Sequence, residues 1–135
     1  MTTEGKPTIG LIGLGMMGQG IGSNLLRHGF PLVVMPNRSR AGSDRLAGEG
    51  AKVVDNLRPL AESADIVILC VPGSPQVEQL VLDAGSLLES CRPGFILIDC
   101  STSEPGSTDR VAAAVAAAGG QFADAPLART PVEAE

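Results

Sequence analysis

The chain contains no tryptophan and no tyrosine, and only three phenylalanines. An interior so poor in large rings must be built from Val, Ile, Leu and Ala, and an apolar fraction of 44% supplies them. Such residues suit a parallel sheet covered by helices. Positive charge is also scarce. Ten Lys and Arg stand against fifteen Asp and Glu, for a net charge of −5. This argues against general nucleic-acid binding, which requires a basic face. No apolar run approaches the ~20 residues needed to cross a bilayer. The opening residues, Met1 to Pro7, carry no apolar signal-peptide core. The expectations are therefore no membrane, no nucleic acid and a cytoplasmic location. The three cysteines, Cys70, Cys91 and Cys100, are odd in number and match no zinc spacing. Two of them sit on or beside expected strands and read as small buried hydrophobes, with no metal site expected. The single histidine, His28, reads as a cation near a helix C-terminus rather than as a base.

What the chain does have is glycine in one telling place. Ile9-Gly10-Leu11-Ile12 is an apolar run of the buried-strand type. It leads straight into Gly13-Leu14-Gly15-Met16-Met17-Gly18, and a helical pattern continues through Ile21, Leu25 and Leu26. Strand, glycine turn and helix in this order fit the G-x-G-x-x-G dinucleotide fingerprint. Gly13 allows the tight turn, Gly15 a close approach to a pyrophosphate, and Gly18 close packing of helix on strand. The start of the helix offers free N–H groups and a positive dipole end to the phosphates.

The remaining chain alternates. His28-Gly29 stops the first helix, with Gly29 one residue beyond its cap. Strands are expected at 31–35, 51–54, 65–71, 95–99 and 121–124. Helices are expected at about 41–48, 57–64, from Ser74-Pro75 through Val81, briefly at 86–90, and from Pro105 to about Ala118. Ser39, Asp55-Asn56, Ser74 and Ser101-Thr102-Ser103 are the candidate N-caps. Length argues for one domain, here 1–126, followed by a tail, 127–135. The alternation predicts an α/β fold of the Rossmann type: a doubly wound, mainly parallel sheet in the order 3-2-1-4-5-6, with helices on both faces.

Two further stretches carry chemistry. In this fold an acid about 20 residues beyond the glycine turn accepts from the ribose of NAD, whereas an arginine there accommodates the 2′-phosphate of NADP. Here the stretch is Met35-Pro36-Asn37-Arg38-Ser39-Arg40, without an acid. Arg38 can grip a phosphate through paired, charge-assisted hydrogen bonds, and Ser39 adds a hydroxyl. NADP is therefore preferred, with NAD as the other possibility; the bland alternative is a solvated turn. Ligands in such sheets lie beyond the C-terminal strand ends. The segments Val71-Pro72-Gly73-Ser74, Asp99-Cys100-Ser101-Thr102 and Asp124-Ala125-Pro126 end there. For Asp99 and Asp124 a turn role and a functional role remain equally open.

With these segments in place, the chain from about Thr8 to Pro126 resembles the β-hydroxyacid dehydrogenases. That family includes 3-hydroxyisobutyrate dehydrogenase, tartronate semialdehyde reductase and the coenzyme domain of 6-phosphogluconate dehydrogenase; imine reductases look similar. The resemblance implies that Leu14, Met16 and Met17 line the dinucleotide turn, and that Asn37, Arg38 and Ser39 hold the 2′-phosphate. It also implies that Val71 and Pro72 border the ribose and nicotinamide, that Thr102 contacts the cofactor, and that Ser101 faces the substrate. Where the family has a Val-Ser-Gly-Gly run, this chain has Leu127-Ala128-Arg129-Thr130-Pro131. Arg129 and Thr130 offer another route to an acid. The family's catalytic lysine lies in a later helical domain, and neither Lys6 nor Lys52 fits its motif. No catalytic residue is therefore expected in this chain. It reads as the NADP-binding domain of an oxidoreductase that moves hydride between nicotinamide and a small β-hydroxy acid or its semialdehyde. It is expected to be a fragment, inactive alone, of an enzyme that is a homo-oligomer at full length. The alternatives are a non-catalytic nucleotide-binding module and a domain of an imine reductase.

Overall fold

In a computed structural model, described for residues 5–36, 40–83, 85–102 and 104–125, six strands form a single sheet in the order β3-β2-β1-β4-β5-β6. Every pairing is parallel. The strands are β1 (Ile9–Ile12), β2 (Leu32–Val34), β3 (Lys52–Val53), β4 (Ile66–Leu69), β5 (Ile96–Asp99) and β6 (Gln121–Asp124). The helices are α1 (Met16–Arg27), α2 (Ala41–Gly48), α3 (Leu57–Ser63), α4 (Ser74–Leu82) and α5 (Pro105–Ala117). A short 3₁₀ turn at Leu87–Ser90 takes the place of the expected brief helix. The predicted fold and strand order both hold.

Parallel order fixes where each helix lies. β1 and β2 carry Ile9, Leu11, Leu32 and Val34 into one apolar cluster with Leu46 of α2 and half-buried residues of α1. The opposite face of the sheet packs Ile12, Val33, Val67, Leu69 and Leu97 against α3, α4 and α5 through Leu60, Val77, Val81, Val111 and Val115. On β5, Leu97 joins that second cluster. Ile96 and Ile98, which alternate with it, stay half-buried and belong to neither. Gly10 lets α3 settle on β1, because a Cβ there would lie 2.6 Å from Leu60 Cδ2.

Helix ends follow the predicted punctuation in part. Gly29 takes φ +83°. Its N–H donates to Leu26 O and that of Phe30 to Leu25 O, the paired closure of a Schellman motif. Ser74 and Ser101 do not take the cap positions expected of them. Gly73 and Glu104 hold the cap positions of α4 and α5, and neither has a side-chain cap bond. Pro105 excludes helical backbone at the residue before it, and Glu104 accordingly has ψ 144°. Ser74 Oγ instead accepts from Glu104 N–H at 2.7 Å, tying the start of α4 to the start of α5. Asn56 stands at the cap of α3, without a side-chain bond. The candidate caps Ser39 and Ser103 lie outside the described residues.

Candidate functional site

All six strands point their C-terminal ends the same way, so the loops that follow them meet along one edge of the sheet. The order reverses beside β1, which places the glycine turn at that switch point. The three glycines of the turn have three different surroundings. Gly13 takes φ +100°, and a Cβ there would overlap the carbonyl oxygen of Cys70. A Cβ on Gly18 would overlap the carbonyl oxygen of Gly13. These two positions are closed by backbone. Gly15 is exposed, its φ of −74° suits any residue, and nothing lies within 4 Å of a Cβ built there. At Gly15, then, no contact within the protein requires the side chain to be absent.

Beside the turn lies a cleft of about 140 Å³ lined by Ile12, Gly13, Met35, Val71, Pro72, Gln76, Gln79 and Leu80. Its walls are the ends of β1, β2 and β4 and one face of α4. The lining is mostly apolar, with two amides. Val71 and Pro72 therefore do reach the cleft. Gln76, Gln79 and Leu80 were not anticipated, although their i, i+3, i+4 spacing places them on one face of α4.

The wall made by β4 and β5 is held by a short relay. Asp99 is fully buried, and its Oδ1 accepts from Ser101 N–H at 2.8 Å. Ser101 Oγ in turn accepts from Val71 N–H at 2.9 Å. Ser101 is thus buried and engaged in fixing the residue that lines the cleft, while Thr102 beside it is exposed. Met16 is 74% exposed at the mouth of the turn, and Met17 is half-buried. Asn37, Arg38, Ser39, Arg129 and Thr130 lie outside the described residues.

Cys70 and Cys100 follow the paired residues Leu69 and Asp99 at the ends of β4 and β5, and both are free. Burial, aided by the charge of Asp99, raises the Cys70 thiol above its ordinary range. Burial, with Cys70, Asp99 and Asp124 adding to it, pushes Cys100 up to about 11. Both stay protonated at neutral pH, which suits wall material rather than nucleophiles. Among the described residues no group of three or more His, Cys, Asp or Glu is placed to hold a metal. No helix there is long and apolar enough to cross a membrane.

Sheet order, glycine turn and cleft together define the class: a dinucleotide-binding α/β domain. The model of the NAD binding domain of 6-phosphogluconate dehydrogenase matches residues 8–135. A probable mitochondrial 3-hydroxyisobutyrate dehydrogenase of Dictyostelium discoideum is 33% identical over 112 residues, covering 83% of this chain and 35% of that protein. The cytokine-like nuclear factor N-PAC of Xenopus tropicalis is 35% identical over 119 residues, covering 88% of this chain and 22% of that one. Among solved structures, 3-hydroxyisobutyrate dehydrogenase from Salmonella typhimurium superposes with a TM-score of 0.86 at 27% identity, over 93% of this chain and 44% of its own. An imine reductase from Myxococcus stipitatus, solved with NADP+, gives 0.84 at 26%, over 93% of this chain and 42% of its own. The chain belongs to the β-hydroxyacid dehydrogenase family. It corresponds to the nicotinamide-dinucleotide-binding part of the family's oxidoreductases, and spans less than half the length of the proteins compared above.

Proposed function

We propose that the chain binds NADP, with NAD as the weaker ligand, in an oxidoreductase that moves hydride between nicotinamide and a small β-hydroxy acid or its semialdehyde. The observation that carries the reading is the pairing of an open Gly15 with the sequence Asn37-Arg38-Ser39 after β2, where an NAD enzyme has an acid. The surroundings fit the cofactor. The turn leaves space for the pyrophosphate, and the apolar cleft against Met35, Val71, Pro72 and Leu80 suits a flat base edged by polar groups. Gly13 to Gly18 would hold the pyrophosphate, Asn37, Arg38 and Ser39 the 2′-phosphate; Val71 and Pro72 would border the ribose and nicotinamide, and Thr102 would contact the cofactor. Ser101, Arg129 and Thr130 are the proposed substrate contacts. Once bound, the cofactor supplies the hydride or accepts it; the chain orients it and excludes water.

The domain proposed here ends near residue 126, and a later domain would supply the proton-transferring group and the homo-oligomer contacts. Without it the chain binds cofactor and does not turn over. N-PAC, named as a nuclear factor rather than a dehydrogenase, favours as second reading a non-catalytic nucleotide-binding module. The imine reductase favours a third, in which the acceptor is C=N.

The test is a calorimetric titration of the chain with NADPH and, separately, NADH. NADPH binds more tightly, and Arg38→Ala removes the preference, weakening NADPH by roughly ten- to a hundredfold as expected for loss of charged hydrogen bonds. Tighter binding of NADH overturns the 2′-phosphate reading. Binding of neither overturns the assignment of a complete dinucleotide site to this chain. Turnover by a protein that carries this domain decides between enzyme and module.

A further inference from the structure

Gln19 and Arg45 take no part in the reading above, yet a continuous run of hydrogen bonds leads through them into the glycine turn. Gln19 Nε2 donates to Leu14 O at 2.9 Å. Arg45 Nη1 donates to Gln19 Oε1 at 3.3 Å. Arg45 is itself held from two further sides, its Nη2 donating to Ser23 Oγ at 3.2 Å and its Nε to Glu49 Oε2 at 3.3 Å. Gly42 of α2 backs the same carbonyl, since a Cβ there would lie 2.6 Å from Leu14 O.

We propose that Arg45 is a positioning residue for the dinucleotide, acting through Gln19 on the Leu14–Gly15 peptide. This rests on the proposed function. The peptide is planar and trans, so its C=O and N–H point in opposite directions. With Leu14 O turned toward Gln19 and α2, the N–H of Gly15 is turned away from them. A glutamine amide alone can present either end to a neighbour. Arg45 carries only donors, so it accepts contact only from Oε1 and leaves Nε2 for Leu14. The guanidinium thereby sets which way the amide faces, and the amide sets the peptide. Arg45 stands on α2, the helix that follows residues 37–39. One helix thus supports the pyrophosphate turn and adjoins the segment proposed for the 2′-phosphate.

The test uses Gln19→Met and Arg45→Met, both without charge and both good helix formers, together with the double variant. NADPH and NADH affinities are read by fluorescence, thermal midpoint by circular dichroism, and the Gly15 amide by its ¹H–¹⁵N resonance. Each single variant weakens both dinucleotides in equal proportion, by about three- to tenfold, the range of one net hydrogen bond. The double variant is no weaker than Gln19→Met alone, because the two act in series. The Gly15 resonance moves in the same direction in both. The inference is overturned if Arg45→Met leaves affinity and the Gly15 resonance unchanged, if the two losses add, or if affinity falls only in step with the thermal midpoint. Should the unmodified chain bind neither dinucleotide, the proposed function fails. The response of Gly15 to Arg45→Met then still decides whether Arg45 sets the turn.

Discussion

Two alanine substitutions two residues apart should have opposite consequences. At Gly15 the backbone, φ −74° and ψ −168°, is open to any residue, and a methyl group would meet no protein atom within 4 Å. Alanine is a poorer helix cap than glycine, but it reduces the freedom of the unfolded chain, and the two effects nearly cancel at about 0.5–1 kcal/mol each. The folded state should therefore be as stable as before. Binding should not survive, because the methyl occupies the space proposed for the pyrophosphate. Loss of its hydrogen bonds costs about 1.5–3 kcal/mol, or roughly ten- to over a hundredfold in affinity. At Gly13 the order is reversed. Alanine there would sit at φ +100° and overlap Cys70 O. The left-handed backbone costs about 1–2 kcal/mol. Displacing the β4 backbone adds to it, since Cys70 N–H is bonded to Ile12 O. A total near 3 kcal/mol lowers the melting temperature of a domain this size by roughly 10 °C. Circular dichroism melts beside dinucleotide titrations separate the two effects. A Gly15→Ala protein that binds like the original would refute the assignment of the turn, and a Gly13→Ala protein that melts unchanged would refute the packing argument.

Ser101→Ala should cost about 0.5–1.5 kcal/mol, because the half-buried N–H of Val71 loses its acceptor; an unchanged denaturant midpoint would contradict this. Cys100 should resist alkylation, followed by mass spectrometry, up to alkaline pH, since its thiol is pushed up to about 11. Its neutral form is favoured by the fold. That contribution is complete below pH 9 and is lost as the pH climbs to about 11, so stability should fall across that window and fall less in Cys100→Ala. Rapid labelling of Cys100 at pH 8 in the folded protein would disprove it.

Much of this was legible in the residues. Continuous apolar runs with β-branched residues marked the central strands, and Gly29 marked the end of the first helix. The jobs of Gly13, Gly15 and Gly18 were assigned by their order alone, and the packing around Gly13 and Gly18 agrees with those jobs. The serines were less readable. A serine before a helix predicts a cap, yet Ser74 and Ser101 each accept from a backbone N–H about thirty residues away in sequence. Short-range spacing cannot reveal a partner that only the sheet brings near. The same holds for Gln19 and Arg45, which look like ordinary polar positions on two separate helices.

The order of the strands has a consequence for how the chain is made. β1 is first in sequence but central in the sheet, and Ile9 pairs with Ile66 on the side away from β2. Until β4 has left the ribosome, β1 presents an unpaired apolar edge, and Gly10 waits for Leu60 to cover it. The first half of the chain is therefore not an autonomous folding unit. Its central pairing is long-range and must form late, which makes the nascent segment ahead of Leu69 the stretch most exposed to misassociation.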